Sequence, residues 1–401
     1  MSVEEKVRVG FVLGQTPDWI GGMNYFRNLL SAVASVPNAR IEPIIFTAPG
    51  GTESLRIPPE FKVVETGILG SRHLTSLLRR GLKAALGYDS LLQSCFAEHR
   101  IRVVSHAAKS MSIPTVGWIP DFQHRYLRDF ISKEEGRARD QAYMAICERC
   151  EKVIVSSESA KADLQEFAPQ FAGKAEVLQF VARIPPFSDD PACLKDLQER
   201  YGFVGPYILL PNQFWAHKNH RVVADALECL RRQGRSVTVL ATGSTVDNRN
   251  PGFFNELMSY MHDREVQGQF HVLGVVPSED LGSLMRYSVG FINPSRFEGW
   301  STSVEEAKSL GKPLILSDIG VHREQKPQRG VYFQVDDSHG LAEAMWQMWN
   351  CYDPAEDSNH RQKASEEQLA RQRQFALRFQ EIILNVAQVS KGGRLSGITN
   401  G

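Results

Sequence analysis

Residues 289–318, VGFINPSRFEGWSTSVEEAKSLGKPLILSD, decide the fold. An apolar run (VGFINP, 289–294) stops at a polar loop, a short amphipathic helix over 302–310 follows, and a second apolar run (PLILSD, 313–318) comes directly after it. Short continuous apolar runs mark strands buried on both faces, and strand–helix–strand units pair such strands in parallel. Ligands of open parallel sheets collect beyond the carboxyl ends of the strands, which is where the loop after residue 294 lies. Thr302 and Glu305 form a T-x-x-E capping box, which predicts a helix start near Ser303 and gives Glu305 a structural task. Glu306 stands about 100° further round the helix, free to accept hydrogen bonds from vicinal hydroxyls. Glu298 precedes Gly299, whose missing side chain lets backbone amides approach a ligand closely.

The same alternation extends outward in both directions. Around the deciding segment lie YILLP (207–211), a helix over 219–233, SVTVLATG (236–243), helices over 252–263 and 278–286 flanking FHVLG (270–274), and GVYF (330–333). The first half of the chain repeats the pattern with VRVGFVL (7–13), a Gly21-Gly22 turn opening a helix, IEPIIF (41–46), RVVSH (102–106), PTVGWI (114–119) and KVIVSS (152–157), and with helices over 133–150 and 158–167. Between the two series, residues 182–206 hold four prolines and an acidic pair, and the periodicity lapses. A chain of 401 residues is long for one hydrophobic core. The expectation is an α/β chain of two doubly wound parallel-sheet domains, 1–187 and 188–363. A helix over about 364–390 crosses back to the first domain, and a flexible tail covers 391–401.

Composition narrows the partners. With 46 Lys plus Arg against 46 Asp plus Glu there is no single-sign field of the kind that phosphate-backbone binding requires, so nucleic acid is not expected. No apolar stretch approaches the ~20 residues that span a bilayer, and MSVEEKVRVGFVLG has acids where a signal peptide has bases; a cytoplasmic protein is expected. Six cysteines at 95, 147, 150, 193, 229 and 351 are too irregular for a disulfide framework and are expected to be reduced. Cys147 and Cys150 form a C-x-x-C pair in a helix running into a strand, with no second pair at zinc spacing. The sequence has neither the G-x-G-x-x-G of dinucleotide binding nor a P-loop. It has no D-x-D either; the pairs Asp189-Asp190 and Asp336-Asp337 are expected as solvated acids, and no metal site is expected.

Glu298 and Glu306 stand in a Glu, seven residues, Glu arrangement, and the string from Glu298 to Pro313 (EGW, EEA, GKP) closely resembles the signature of retaining glycosyltransferase family 4, the group 1 glycosyltransferases. The resemblance implies a GT-B fold, two Rossmann-like domains facing across a cleft, and a hexose moved from a nucleotide-diphosphate sugar to the hydroxyl of a glycan or lipid-linked acceptor. It implies that Glu298 contacts hydroxyls of the donor sugar and Glu306 the ribose. Backbone amides of Gly299, Trp300, Ser301 and Thr302, at a helix N-terminus, would face the sugar and diphosphate. A second match is PNQFWAHKNHRVVADAL (211–227), where Lys218 takes the place of the family's lysine. Gln213 stands where many members have Arg, so His217, His220 or Arg221 would assist Lys218. Gly22 resembles the family's glycine turn, and Gly274, Val275 and Val276 the place where backbone groups hold the base. In GWIPDFQHRYL (117–127) Pro120 stands in place of the usual His, leaving Asp121 and His124 as contacts for sugar or acceptor.

On this reading Lys218 and the helix start near Thr302 take the leaving-group charge while Glu298 positions the sugar, without a cofactor or metal. GDP-mannose is the expected donor, in synthesis of a cell-surface polysaccharide such as lipopolysaccharide. Residues 70–87 (GSRHLTSLLRRGLKAALG) carry Arg72, Arg79, Arg80 and Lys83 among leucines with no acid; such a helix suits an anionic membrane surface, a peripheral placement at its inner face, or a plain exposed face. The alternatives are a nucleotide-sugar epimerase or phosphorylase of similar architecture, told by conversion without acceptor, and a non-catalytic sugar-nucleotide-binding protein, told by binding without turnover.

Overall fold

The computed structural model describes residues 5–14, 20–51, 57–70 and 74–395; Arg72 and the end of the tail, 396–401, lie outside them. In chain order the strands are β1 (Val7–Val12), β2 (Ile41–Thr47), β3 (Lys62–Glu65), β4 (Val103–Ser105), β5 (Thr115–Ile119), β6 (Lys152–Val155), β7 (Ala175–Val177), β8 (Ile208–Pro211), β9 (Val239–Thr242), β10 (Phe270–Gly274), β11 (Gly290–Asn293), β12 (Leu314–Ser317) and β13 (Gly330–Phe333). The helices are α1 (Ile20–Ala34), α2 (Leu74–Leu86), α3 (Ser90–Glu98), α4 (Gln123–Tyr126), α5 (Lys133–Arg149), α6 (Glu158–Phe167), α7 (Pro191–Tyr201), α8 (His220–Arg232), α9 (Phe253–Asp263), α10 (Ser278–Tyr287), α11 (Thr302–Leu310), α12 (Gly320–Gln325), α13 (Ser338–Asn350) and α14 (Pro354–Leu395). The chain divides into two compact units: Met1–Phe122, Arg137–Phe180 and Ala370–Gly401 make the first, and Gln123–Gly136 with Val181–Leu369 the second.

The first unit holds a seven-stranded parallel sheet in the order β3-β2-β1-β4-β5-β6-β7. Its edge strands, β3 and β7, have no fully buried residue, which is why they leave no apolar run in the sequence. The C-x-x-C pair packs α5 onto β5: Cys147 and Cys150 are buried, and a Cβ on Gly117 would stand 3.1 Å from the Cys150 sulfur. Burial pushes the Cys147 thiol up to about 11, the opposite of what a reactive cysteine needs. From Ala370 onward α14 belongs to this unit; Phe379 packs on Phe11 with ring centres 6.0 Å apart, and Arg378 pairs with Glu176 at 2.6 Å.

The second unit is a six-stranded parallel sheet, β10-β9-β8-β11-β12-β13, and its side chains alternate as the pleat requires. Ile208, Leu210, Val239, Ala241, Ile292 and Ile315 enter a core with α8, α9 and α13. Leu209, Leu240, Phe291, Leu314 and Leu316 enter another with α7, α10 and α11. Burying each such aliphatic side chain contributes roughly 1.5–3 kcal/mol, and two covered faces explain why the four inner strands read as apolar runs; the edge strands β10 and β13 are only partly buried.

Helix α11 starts one residue earlier than the capping box predicts. Ser301 is the N-cap, its Oγ accepting from the Val304 amide, so Thr302 is already helical and Glu305 lies too deep to cap. Glu305 is buried instead and accepts from Lys308 at 2.8 Å and from Gln325 at 3.1 Å. The helix ends on Gly311, whose φ of +68° is the left-handed region and whose Cβ, were there one, would meet the His360 carbonyl at 2.5 Å. Among the described residues no helix is long and apolar enough to cross a membrane.

Candidate functional site in the second unit

The chain leaves β8 toward one edge of the sheet and β11 toward the other, which makes the gap between them the topological switch point. Each of these strands runs into an asparagine. Asn212 Nδ2 donates to Asn293 Oδ1 at 3.3 Å, and Asn293 Nδ2 donates to the hydroxyls of Ser301 at 2.8 Å and Ser303 at 3.2 Å; all four residues are buried. The strand ends and the start of α11 are thus one hydrogen-bonded block. The two loops above it are laced together as well: the Arg296 amide donates to the His217 carbonyl at 2.8 Å, and Arg296 Nη2 donates to Asn219 Oδ1 at 3.2 Å. Asn219 sits at φ +57°, a left-handed conformation that asparagine tolerates, and its Nδ2 donates to the Val335 carbonyl at 2.9 Å.

This frame brings Lys218 and Glu298 together. Lys218 Nζ donates to Glu298 Oε1 at 2.7 Å, with only 13% and 10% of the two side chains exposed. Burial pushes the Glu298 carboxyl up, but the charge and hydrogen bond of Lys218 outweigh it and hold the group at about 2. Glu306, on the first turns of α11, is half-buried without a counter-charge, and burial pushes its carboxyl up to about 8. His322 on α12 is fully buried, with Nδ1 2.9 Å from the Ser317 carbonyl. A carbonyl can only accept, so Nδ1 carries the proton and Nε2, which has no partner, is an acceptor.

Other expected residues take different places. Gln213 Oε1 accepts from the Ser244 amide at 2.7 Å and braces the loop after β9. The Ser301 amide donates to Gln325 Oε1 at 3.4 Å and its carbonyl accepts from Gln325 Nε2 at 3.0 Å, so its backbone is turned inward, away from a ligand. Trp300 is 9% exposed; Gly299 and Thr302 are half-buried. Gly274, at φ +68°, has open space where a side chain would be, Val275 is 72% exposed and Val276 half-buried. Of the three proposed helpers of Lys218, His220 is fully buried and stacked on Phe214 with ring centres 4.5 Å apart, and Arg221 turns away to Glu256 and the Tyr260 ring. Only His217 keeps close company with the loop; burial, with the Lys218 charge, lowers it to about 3 and keeps it neutral. In the first unit Gly22 is buried in the first turn of α1, and Asp121 follows β5 by two residues. His124 is buried on α4, which belongs to the second unit. The acidic pairs are not merely solvated: Asp190 and Asp337 cap α7 and α13, Asp189 pairs with Arg286, and Asp336 pairs with Arg296.

Four residues that no motif pointed to hold the site: Asn212, Asn293, Gln325 and Gln123. The first two carry a readable signal, an asparagine ending each of two buried strands. Gln123 Nε2 donates to the bare Nε2 of His217 at 3.1 Å and its Oε1 accepts from Arg249 at 3.1 Å, so α4 is tied to the loop after β8. At the switch point of the first sheet, between β1 and β4, His106 is closed in by Tyr25 and Ser105 at 2.7 Å each and by the Phe11 ring; burial lowers it to about 3. Among the described residues no group of three His, Cys, Asp or Glu side chains is arranged to hold a metal ion.

Two Rossmann-like units with parallel sheets define a GT-B protein, and solved structures share the fold. A glycosyltransferase from Rickettsia africae superposes with a TM-score of 0.65 at 16% identity, covering 94% of this chain and 99% of the other. Alr3699/HepE of Anabaena, solved in complex with UDP and glucose, superposes with a TM-score of 0.64 at 16% identity, covering 98% and 100%. Residues 205–351, in the body of the second unit, match the family model described as glycosyl transferases group 1. Mannosylfructose-phosphate synthase of Agrobacterium fabrum is 23% identical over 146 residues, 34% of this chain and 32% of that relative; the likeness therefore spans about a third of either protein.

Proposed function

We propose that this chain is a retaining, metal-independent hexosyltransferase that takes a hexose from a nucleotide-diphosphate sugar and delivers it to the hydroxyl of a glycan or lipid-linked acceptor in cell-surface polysaccharide synthesis, at the inner face of the membrane. The observation that carries it is the meeting of Lys218 and Glu298 at the switch point of the second sheet, where open α/β sheets bind ligands. Lys218 would compensate the departing diphosphate and Glu298 would orient the sugar by accepting from its hydroxyls. Glu306 would take the ribose hydroxyls. Asp121 and His124 are the proposed acceptor-side contacts, and Gly274, Val275 and Val276 would hold the base. In the step itself the bond from the anomeric carbon to the phosphate oxygen breaks, the acceptor oxygen bonds to that carbon from the same face, and its proton passes to the departing phosphate.

GDP-mannose is the proposed donor, with support from the mannosyl product named for the Agrobacterium relative; the UDP and glucose bound to HepE make UDP-glucose the rival. Thermal unfolding in a panel of nucleotide sugars finds the donor, because a ligand that binds only the folded state raises the transition. Incubation of that donor with and without candidate glycan acceptors, in the presence of a strong chelator, then tests the reaction. Product with the anomeric configuration of the donor is expected. Conversion of the donor sugar without acceptor, or binding with no turnover under any acceptor, would overturn the reading.

A further inference from the structure

The loop after β9, residues 243–252, lies on the loop after β8 and brings a further cation to the site. Gly243 is the point of close approach: it sits at φ +141°, and a Cβ there would meet the Asn212 carbonyl at 2.5 Å. The Ser244 amide donates to Gln213 Oε1 at 2.7 Å, and the Ser244 carbonyl accepts from the Phe214 amide at 3.0 Å. Further along, Asp247 Oδ1 accepts from the Arg249 amide at 3.0 Å, and the Arg249 guanidinium lies over the Trp215 ring, 5.1 Å from its centre. Arg249 Nη1 donates to Gln123 Oε1 at 3.1 Å and Gln123 Nε2 donates to His217 Nε2 at 3.1 Å, so a single glutamine separates the guanidinium from the residue before Lys218. Burial lowers His217, and the charges of Lys218, Glu298 and Arg249 all act on it.

The cations of these loops are not equally committed. Lys218 is held by Glu298 at 2.7 Å, Arg221 by Glu256 at 3.3 Å and Arg296 by Asp336 at 2.6 Å. Among the described residues the only carboxylate paired with Arg249 is Asp247, at 3.5 Å from Nε and through the oxygen that already accepts from the Arg249 amide. Apart from the bond to Gln123, the guanidinium makes no short hydrogen bond among the described residues, and 23% of the side chain is exposed. A diphosphate carries more charge than Lys218 can meet while Glu298 shares it. A partly exposed guanidinium with open donors suits that charge, because its planar fork bonds phosphate oxygens in pairs. We propose that Arg249 is the second cation of the diphosphate site, donating from the loop after β9 to the nucleoside diphosphate that Lys218 meets from the loop after β8. This role rests on the sugar-nucleotide reading of the site and deepens it.

Calorimetric titration of the full chain with GDP and with UDP tests it. Wild type is expected to bind at least one of the two, more weakly as salt is added. Arg249→Gln removes the charge and keeps a hydrogen-bonding amide; its dissociation constant for that nucleotide should rise roughly tenfold to a hundredfold, the worth of one charge-assisted contact. Arg249→Lys keeps the charge and loses the fork, so it should bind between the two and retain the salt dependence of wild type, part of which Arg249→Gln should lose. Thermal unfolding without ligand is recorded for each variant, and Arg249→Met, whose chain still covers the Trp215 ring, replaces Arg249→Gln if that unfolds early. Failure of wild type to bind either nucleotide would overturn the sugar-nucleotide reading and this role with it. Binding by Arg249→Gln as tight as that of wild type would overturn the role of Arg249 alone. So would equal losses in Arg249→Gln and Arg249→Lys with the salt dependence unchanged, the mark of a side chain that only braces Gln123.

Discussion

The ammonium of Lys218 and the carboxylate of Glu298, 2.7 Å apart, belong to loops that leave different strands, and neither side chain is more than 13% exposed. Each is the other's counter-charge before any ligand arrives. Removing one therefore strands a largely buried charge, which in fully buried pairs costs about 3–5 kcal/mol. The pair is structural, and the chemical role proposed for it has to be separated from that by experiment.

Single substitutions Lys218→Met and Glu298→Gln should each lower transfer on the order of 10²–10³ and also lower stability in urea. The double variant should recover part of the stability and none of the activity, with a coupling of at least ~1 kcal/mol between the sites. Additive stability losses, or transfer near wild type in either single variant, would contradict the arrangement.

Glu298 and Glu306 should respond to pH in opposite directions. Glu298 is held at about 2, below its ordinary 4.5, so the stability it confers is complete above 4.5 and is lost as pH falls toward 2. Glu306 is raised to about 8, so its contribution is complete below 4.5 and is lost as pH rises through 8. Glu306→Gln should then unfold at a higher temperature than wild type above pH 8 and at nearly the same temperature near pH 5. If ribose hydroxyls donate to the Glu306 carboxylate, donor affinity in wild type rises with pH through the same range and the Gln variant loses that slope. Melting curves and calorimetric titration across the range check both; a wild-type slope retained in Glu306→Gln would remove Glu306 from the ribose.

Much of this was legible in the sequence because buried parallel strands print as apolar runs. The four inner strands of the second sheet were read that way, its partly buried edge strands β10 and β13 were read because FHVLG and GVYF are still mostly apolar, and Lys218 and Glu298 stand in the loops that follow β8 and β11. The two edge strands of the first sheet were not read, because the half-exposed KVVE and the three-residue AEV have no such run. Hydrogen bonding between distant loops leaves even less trace. Nothing local in the sequence says that Gln325 takes up the Ser301 backbone, or that Gln123 meets a histidine 94 residues on. The capping box misled for a related reason: Ser301 and Thr302 are both good caps, and the choice fell to Ser301 because Asn293 already binds its hydroxyl.

That asparagine carries a prediction of its own. Asn293 Nδ2 sits at 2.8 Å from the N-cap hydroxyl of α11 and, more distantly, at 3.5 Å from Glu298 Oε1. Asn293→Asp keeps the shape but turns the donor into an acceptor facing a carboxylate. As a positioning residue, Asn293 should act on the rate far more than on donor binding: kcat is expected to fall about 10²-fold, with the donor dissociation constant changed only a few-fold. The reverse pattern, weak binding with an undisturbed kcat, would make Asn293 a donor contact instead.

The last prediction concerns the GKP string, whose lysine lies outside the site. Lys312 is wholly buried, and its Nζ donates to Asp357 at 2.7 Å and to the Ser288 carbonyl at 2.7 Å; Arg329 reaches the other Asp357 oxygen at 3.2 Å. Asp357 is in the first turn of α14, so Lys312 binds the root of that helix to the end of α10 and the start of β12. Asp357→Asn leaves an ammonium enclosed without its counter-charge and should destabilise the second unit by about 3–5 kcal/mol. Lys312→Met with Asp357→Leu removes both charges, and an apolar pair of similar volume should restore much of that loss. Urea unfolding followed by the fluorescence of Trp346 and Trp349, both on α13 in the same unit, measures it. Hydrogen exchange supplies a second readout: in Asp357→Asn the amides of the first turns of α14 should exchange faster while those of α11 keep their protection. Equal loss of protection in both helices would mean that the pair serves the whole unit rather than the root of α14.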